Sequence, residues 1–180
     1  MFTQQLPAEL FKIQREFIAV MGGKLDFVWA AKTLITEETK ELREAYEKKE
    51  LSDENMADIF KELADVIYVV AYFYNVMPVY APEVVDDATN QELQNILDEA
   101  AEVVTMVSQK LRIPLPLILN SFEIVHASNM SKLDENGKPI RRDDGKIMKG
   151  PNYTAPDMMP IVEMWKKLQQ EEAANDSNPQ

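Results

Sequence analysis

Apolar residues recur at helical spacing along most of the chain. After Pro7, the positions Leu10, Phe11, Ile13, Phe17, Ile18 and Met21 mark a first amphipathic helix, which Gly22-Gly23 stops. A second periodic segment runs from about Asp26 to Lys49, with Phe27, Ala31, Leu34, Ile35, Leu42 and Ala45 toward one side. Ser52 opens a third, in which Ile59, Leu63, Val66, Val70 and Phe73 form a strong stripe continuing to Met77, where Pro78 ends it. Residues 79 to 87 read as a loop containing Pro82. Thr89 is expected to cap a fourth helix reaching about Leu111, and Pro114 and Pro116 separate it from a fifth over Leu117 to Leu133. From Asp134 to Pro156 the periodicity stops. Asn136-Gly137 and Asp144-Gly145 are tight-turn signals there, so this stretch reads as a structured loop or a minimal hairpin. A last short helix is expected over residues 157–170, followed by a mobile polar tail, 171–180.

The pattern predicts an all-α fold, an antiparallel helical bundle with an irregular basic loop near the C-terminus, in one domain over residues 1–170. Composition agrees. Only 5 glycines stand against 10 methionines, and Glu, Leu, Ala and Lys abound. The net charge of −12 repels a phosphate backbone, so a nucleic-acid surface or an anionic membrane is not an expected partner. The longest apolar run, Val66 to Met77, is too short to span a bilayer, and no signal-peptide pattern opens the sequence, which favours a cytoplasmic location. With no cysteine and a single histidine, disulfide frameworks, zinc fingers and cysteine nucleophiles drop out, and any metal must sit on carboxylate oxygens. That points to Mg²⁺, Mn²⁺ or Ca²⁺.

The carboxylates carry the chemistry. At about 100° per residue, Glu38 and Glu41 fall inside the apolar arc of the second helix, while Glu44, Glu47 and Glu50 fall on the opposite half. On the third helix Glu62 and Asp65 share the arc of Val66, Val69 and Phe73. Two neighbouring helices thus each point an acidic i, i+3 pair inward. Buried charges of one sign cost several kcal/mol per ion unless neutralised, and the nearby Lys48 and Lys61 are too few to balance four acids. A divalent cation supplies the missing charge, and Mg²⁺ suits a few carboxylates together with substrate phosphates. The alternative is a buried salt-bridge network, with basic residues from another segment or subunit, in a non-catalytic helical oligomerisation module.

The stretch EETKELREA at 37–45, followed by KELADVIYVV at 61–70, resembles the MazG-like all-α nucleoside triphosphate pyrophosphohydrolases, a superfamily that also includes dimeric dUTPases and phosphoribosyl-ATP pyrophosphohydrolases. Its signature is E-x-x-E, a spacer, then E-x-x-D. The resemblance implies Mg²⁺ coordination, with Mn²⁺ as a possible substitute, by Glu38, Glu41, Glu62 and Asp65, and a water-positioning or basic role for Glu37. It also implies hydrolysis of a (deoxy)nucleoside triphosphate to the monophosphate and pyrophosphate, as in nucleotide-pool sanitation. VHASNMSKL and the loop RRDDGKIMKGPNYTAPDM are similar to a subgroup in which an Asn and a Lys lead into a basic loop near the nucleotide. This chain departs from the subgroup in the segment from Pro78 to Arg112, which inserts an additional helix.

Residues 132–149 hold six basic against four acidic residues in an otherwise strongly acidic chain, a local positive charge suited to a triphosphate. Asn129, Lys132, Arg141, Lys146 and Lys149 are the candidate substrate contacts. Trp29 and Tyr153 can stack on a base, although an ideal helix turns Trp29 away from Glu38, toward the first helix or a partner subunit. Glu99 and Glu102 form a third ExxE with no complementary pair and read as a surface or subunit-contact feature. His126 shares a stripe with Leu119, Phe122, Met130 and Leu133 and reads as a core or supporting histidine rather than a ligand. The apolar and Tyr-rich run Tyr68 to Met77 exceeds what one small bundle needs to cover itself, so a homodimer or a dimer of dimers is expected.

Overall fold

A computed structural model describes residues 6–22, 26–48, 51–77 and 85–176. The expected endings at Gly23, Lys49 and Pro78, the loop residues 79–84 with Pro82, the solvated Glu50 and the last four residues of the tail lie outside these. The helices are α1 (Ala8–Met21), α2 (Phe27–Trp29), α3 (Thr36–Glu47), α4 (Asp53–Val76), α5 (Asp87–Lys110), α6 (Leu115–Met130) and α7 (Met159–Asp176), and a π-helical turn over Ala30–Ile35 joins α2 to α3. A short antiparallel pair, β1 (Ile140–Arg141) and β2 (Ile147–Met148), fills the span between α6 and α7. The architecture is all-α, as expected.

Helix α4 is the axis of the molecule. It packs against α1, α3, α6 and α7, and its Met56, Ile59, Phe60, Leu63, Ala64, Val66 and Ile67 are fully enclosed. Its start is fixed by Ser52, whose hydroxyl accepts from the Asn55 amide at 3.2 Å. The short connection from α3 makes the two helices antiparallel neighbours. The run from Tyr68 onward was expected to be surplus apolar surface, yet Tyr68, Val70, Ala71, Tyr72 and Phe73 are buried within the chain itself. Phe17 and Phe122 close on Tyr68, and Phe27 and Tyr74 on Phe73. One chain covers this surface, so the run is no longer evidence for a partner.

Several boundaries shift for identifiable reasons. Helix α5 is capped by Asp86 rather than Thr89: the Asp86 carboxylate accepts from the Thr89 amide at 2.7 Å, three residues into the helix. Helix α6 starts at Leu115, because a proline in the first turn has no intrahelical partner to lose; Pro114 precedes the helix and Pro116 lies within that turn. It stops at Met130, short of Leu133. Helix α7 continues through Asp176 instead of ending at 170, so the segment expected as a mobile tail is helical over its first six residues. Trp165 ties α7 to the end of α5, its indole N–H donating to Leu111 O at 2.9 Å.

Both turn signals are realised as turns with left-handed glycines, Gly137 and Gly145. Asp134 folds the first, accepting from the amides of Asn136 and Lys138 at 2.8 Å each. The segment is stitched to the end of α6: Ser128 Oγ donates to Thr154 O at 2.8 Å, and the Thr154 amide donates to Ser131 Oγ at 2.8 Å. Gly150 passes so close to Leu133 that a Cβ there would stand 2.2 Å from the Leu133 carbonyl oxygen. Gly150→Ala is therefore expected to open the base of the hairpin, read as faster proteolysis between residues 134 and 150 with the far-UV helical signal unchanged.

Candidate metal centre and cleft

The acids of α3 and α4 meet where the two helices pack. One carboxylate oxygen from each of Glu38, Glu41 and Glu62 lies within 4.8 Å of the others. Glu38, Glu62 and Asp65 are half-buried, whereas Glu41, at the edge of the expected apolar arc, is exposed. Asp65 stays outside the triad. Its Oδ2 and Glu62 Oε1 hold the Lys61 ammonium, at 2.8 and 2.7 Å. Burial by itself lowers the pKa of Lys61, but Asp65 and Glu62 outweigh it and keep the group firmly charged.

The remaining charge is poorly compensated. Burial, with Asp65 and Glu41 adding repulsion, pushes the Glu38 carboxyl up to about 8. Glu62 is also raised, chiefly by burial. Glu62 Oε2 is buried without a hydrogen-bond partner among the described residues, an arrangement that costs about 1–3 kcal/mol or more for a charged group. An acceptor-only oxygen left bare beside two further carboxylates is what a divalent cation satisfies, so the residues present fit Mg²⁺ or Mn²⁺.

Two adjoining cavities open beside these acids, sharing Glu38, Asp65, Asn129, Lys132 and Lys146. The wider, of about 380 Å³, takes in the charged side chains of Lys61, Arg142 and Lys149 together with Tyr153. The narrower, of about 100 Å³, is walled by Phe17, Trp29, Leu34, Tyr68 and Tyr72. Asn129, buried at the end of α6, lies beside the Tyr68 hydroxyl, which also pairs with His126 Nδ1 at 3.0 Å. His126 thus supports the wall of the cleft, in line with the expectation. Lys132 is held low by burial, while Asp65 and Glu38 pull it back up.

The other expected residues divide. Lys146 reaches the cleft and pairs with Glu37 at 2.7 Å, which links the hairpin to α3. Lys149 lies over the Tyr153 ring, 4.6 Å from its centre. Arg141 lines neither cavity. It turns away and donates to the Met21 carbonyl at the end of α1, while Arg142, just past the end of β1, lines the wider cavity and pairs with Asp144. Glu99, without an acidic complement, is engaged by Arg43 at 2.7 Å.

Trp29 is the clearest correction. An ideal α-helix sets it opposite Glu38, but the π-helical turn between them inserts one residue, rotating everything before it by about 100°. The Thr36 amide and hydroxyl both donate to Ala31 O, five residues back, and stabilise the wide turn. Trp29 consequently faces the cleft. The tyrosines were missed for another reason: Asp65, Tyr68 and Tyr72 stand at i, i+3 and i+7, a single stripe that would have extended the acidic motif into an aromatic wall.

Residues 30–91 match the family model of the MazG nucleotide pyrophosphohydrolase domain. The chain is MazG-like over this segment, which includes the π-helical turn and all four acids of the signature. No curated protein and no solved structure matches the chain. Among the described residues no helix is long and apolar enough to cross a membrane.

The raised Glu38 fixes a pH dependence. Its carboxyl is protonated in the folded metal-free protein at a pH where the unfolded chain has already lost the proton. The resulting stabilisation is complete below the ordinary value of 4.5 and is lost as pH rises toward about 8. His126, lowered by burial, acts below 6.5 and leaves the upper window clear. In EDTA, Tm is expected to fall from pH 6.5 to about 8 and then level off, and Glu38→Gln should flatten the slope in thermal melts.

Proposed function

We propose that the chain, MazG-like over residues 30–91 and so of the nucleotide pyrophosphohydrolase type, hydrolyses a (deoxy)nucleoside triphosphate to the monophosphate and pyrophosphate with Mg²⁺, as a step of nucleotide-pool sanitation. The observation that carries this reading is the buried, unpartnered Glu62 Oε2, set beside Glu38 and Glu41, which themselves line a lysine-bearing cleft. Glu38, Glu41 and Glu62 would hold the metal, with Asp65 as a ligand to any second ion. When bound, the ion neutralises phosphate oxygens and lowers the pKa of a coordinated water.

The chain's own residues do the rest. Lys132, Lys146 and Lys149 receive the triphosphate, and Arg142 joins them from the hairpin. Arg141, committed to Met21, holds the hairpin against α1 instead. Trp29, Tyr68 and Tyr72 enclose the base or sugar, and the Asn129 amide supplies a polar contact beside this aromatic wall. Glu37 is the base. As Lys146 moves from Glu37 to the phosphates, the freed carboxylate takes a proton from the attacking water; an O–P bond forms at the α phosphorus, and pyrophosphate leaves. The orphaned Glu62 oxygen weighs against a purely salt-bridged interaction module, because such a network would satisfy it.

Self-association belongs to the same reading. Met159, Met164 and Leu168 of α7 are exposed apolar residues that a second copy would cover in a homodimer or a dimer of dimers. Sedimentation at micromolar concentration should show species above the 20.6 kDa chain, and a lone monomer contradicts the assembly without touching the chemistry.

A pyrophosphate-release screen over canonical and damaged nucleoside triphosphates with Mg²⁺ and Mn²⁺ tests the activity. Glu62→Gln is expected to abolish turnover while leaving metal-free stability equal to or above that of the parent, because it removes a like charge from a half-buried cluster. Turnover near the parent rate in that variant refutes the metal assignment.

A further inference from the structure

Lys61 immediately precedes Glu62, and its ammonium stands between two of the acids of α4, on Glu62 Oε1 and Asp65 Oδ2. The oxygens that gather closely belong to Glu38, Glu41 and Glu62, with Asp65 outside the group. The four acids are therefore divided. Three face one another, and one of these, Glu62, keeps a bare buried oxygen. The fourth acid, together with the other oxygen of Glu62, already has a cation supplied by the chain.

That cation is placed to compete. An exposed i, i+4 ion pair contributes little, but Glu62 and Asp65 here have side chains only 12% and 19% exposed, so neither can be left without a counterion cheaply. The Lys61 side chain is 35% exposed and has a flexible four-carbon stem, so the ammonium can withdraw into water when a stronger charge arrives. A singly charged ammonium and a doubly charged ion need the same two oxygens, and only one can have them.

We propose that Lys61 sets the metal stoichiometry of the centre. Without nucleotide, one divalent ion binds at Glu38, Glu41 and Glu62, and Lys61 holds the Glu62–Asp65 position that a second ion can take only by displacing it. This rests on the metal-dependent reading above and adds to it a residue that reading does not use.

The test counts Mn²⁺ bound to the full chain without nucleotide, by loss of the free-ion signal in electron paramagnetic resonance. Wild type is expected to bind one ion, Lys61→Met two, and Lys61→Arg, which keeps a cation, one. Lys61→Gln serves as a second neutral variant should the methionine fail to fold. Metal-free Lys61→Met should also melt below wild type, and Mn²⁺ should close the gap. One ion in wild type and in both neutral variants overturns the proposal and leaves the metal centre standing, as do two ions in wild type. No bound Mn²⁺ in any of the proteins overturns the proposal and the metal reading together.

Discussion

Carboxylates set into an apolar helix face are stable only with positive charge beside them, and much of this structure answers that need. Helices α3 and α4 bring Glu38, Glu41, Glu62 and Asp65 to one seam, and burial there raises Glu38 and Glu62 rather than letting water screen them. The cations come from three places: Lys61 from α4 itself, Lys132 from just beyond the end of α6, and Lys146 from the hairpin. The basic loop is therefore part of the same electrostatic unit as the acids, although more than 60 residues of sequence separate them. Serine and threonine contacts pin that loop to α6 and so keep its charge within reach of the seam.

The sequence revealed those features that depend on local chemistry alone. The half-buried Glu38, Glu62 and Asp65 followed from helical phase, whereas Glu41, expected inward by the same phase, is exposed; the start of α4 followed from Ser52, and the two turns from Asn136-Gly137 and Asp144-Gly145. Features that depend on neighbours stayed hidden. Which of Arg141 and Arg142 faces the cleft is set only once the hairpin docks. The run from Tyr68 looked like an oligomer surface because its covering residues, Phe17, Phe27 and Phe122, lie on other helices. The boundary of α5 moved because Asp86, not Thr89, caps the helix, and that of α6 because a proline in the first turn leaves the helix free to start before it.

The cleft has two unlike halves. Lysines and acids line the wider cavity, whereas the narrower one adds an aromatic wall of Phe17, Trp29, Tyr68 and Tyr72 to the charged residues along their common border. Asp65 lies on the border, its carboxylate paired with Lys61 and its helical stripe continuing into Tyr68 and Tyr72. A ligand with a charged end and a flat, weakly polar end matches this division without any rearrangement of the helices.

The wide turn at residues 30–35 separates two properties that a regular helix would lock together. Everything after it, including Glu38 and Glu41, keeps its phase against α4, while everything before it can rotate as a block. Gain or loss of one residue here would exchange the aromatic side chain presented to the narrow cavity and leave the acidic seam in place. Selectivity for the flat end of a ligand could then drift across an evolutionary lineage by insertion and deletion, while the charge-bearing machinery remained under separate constraint.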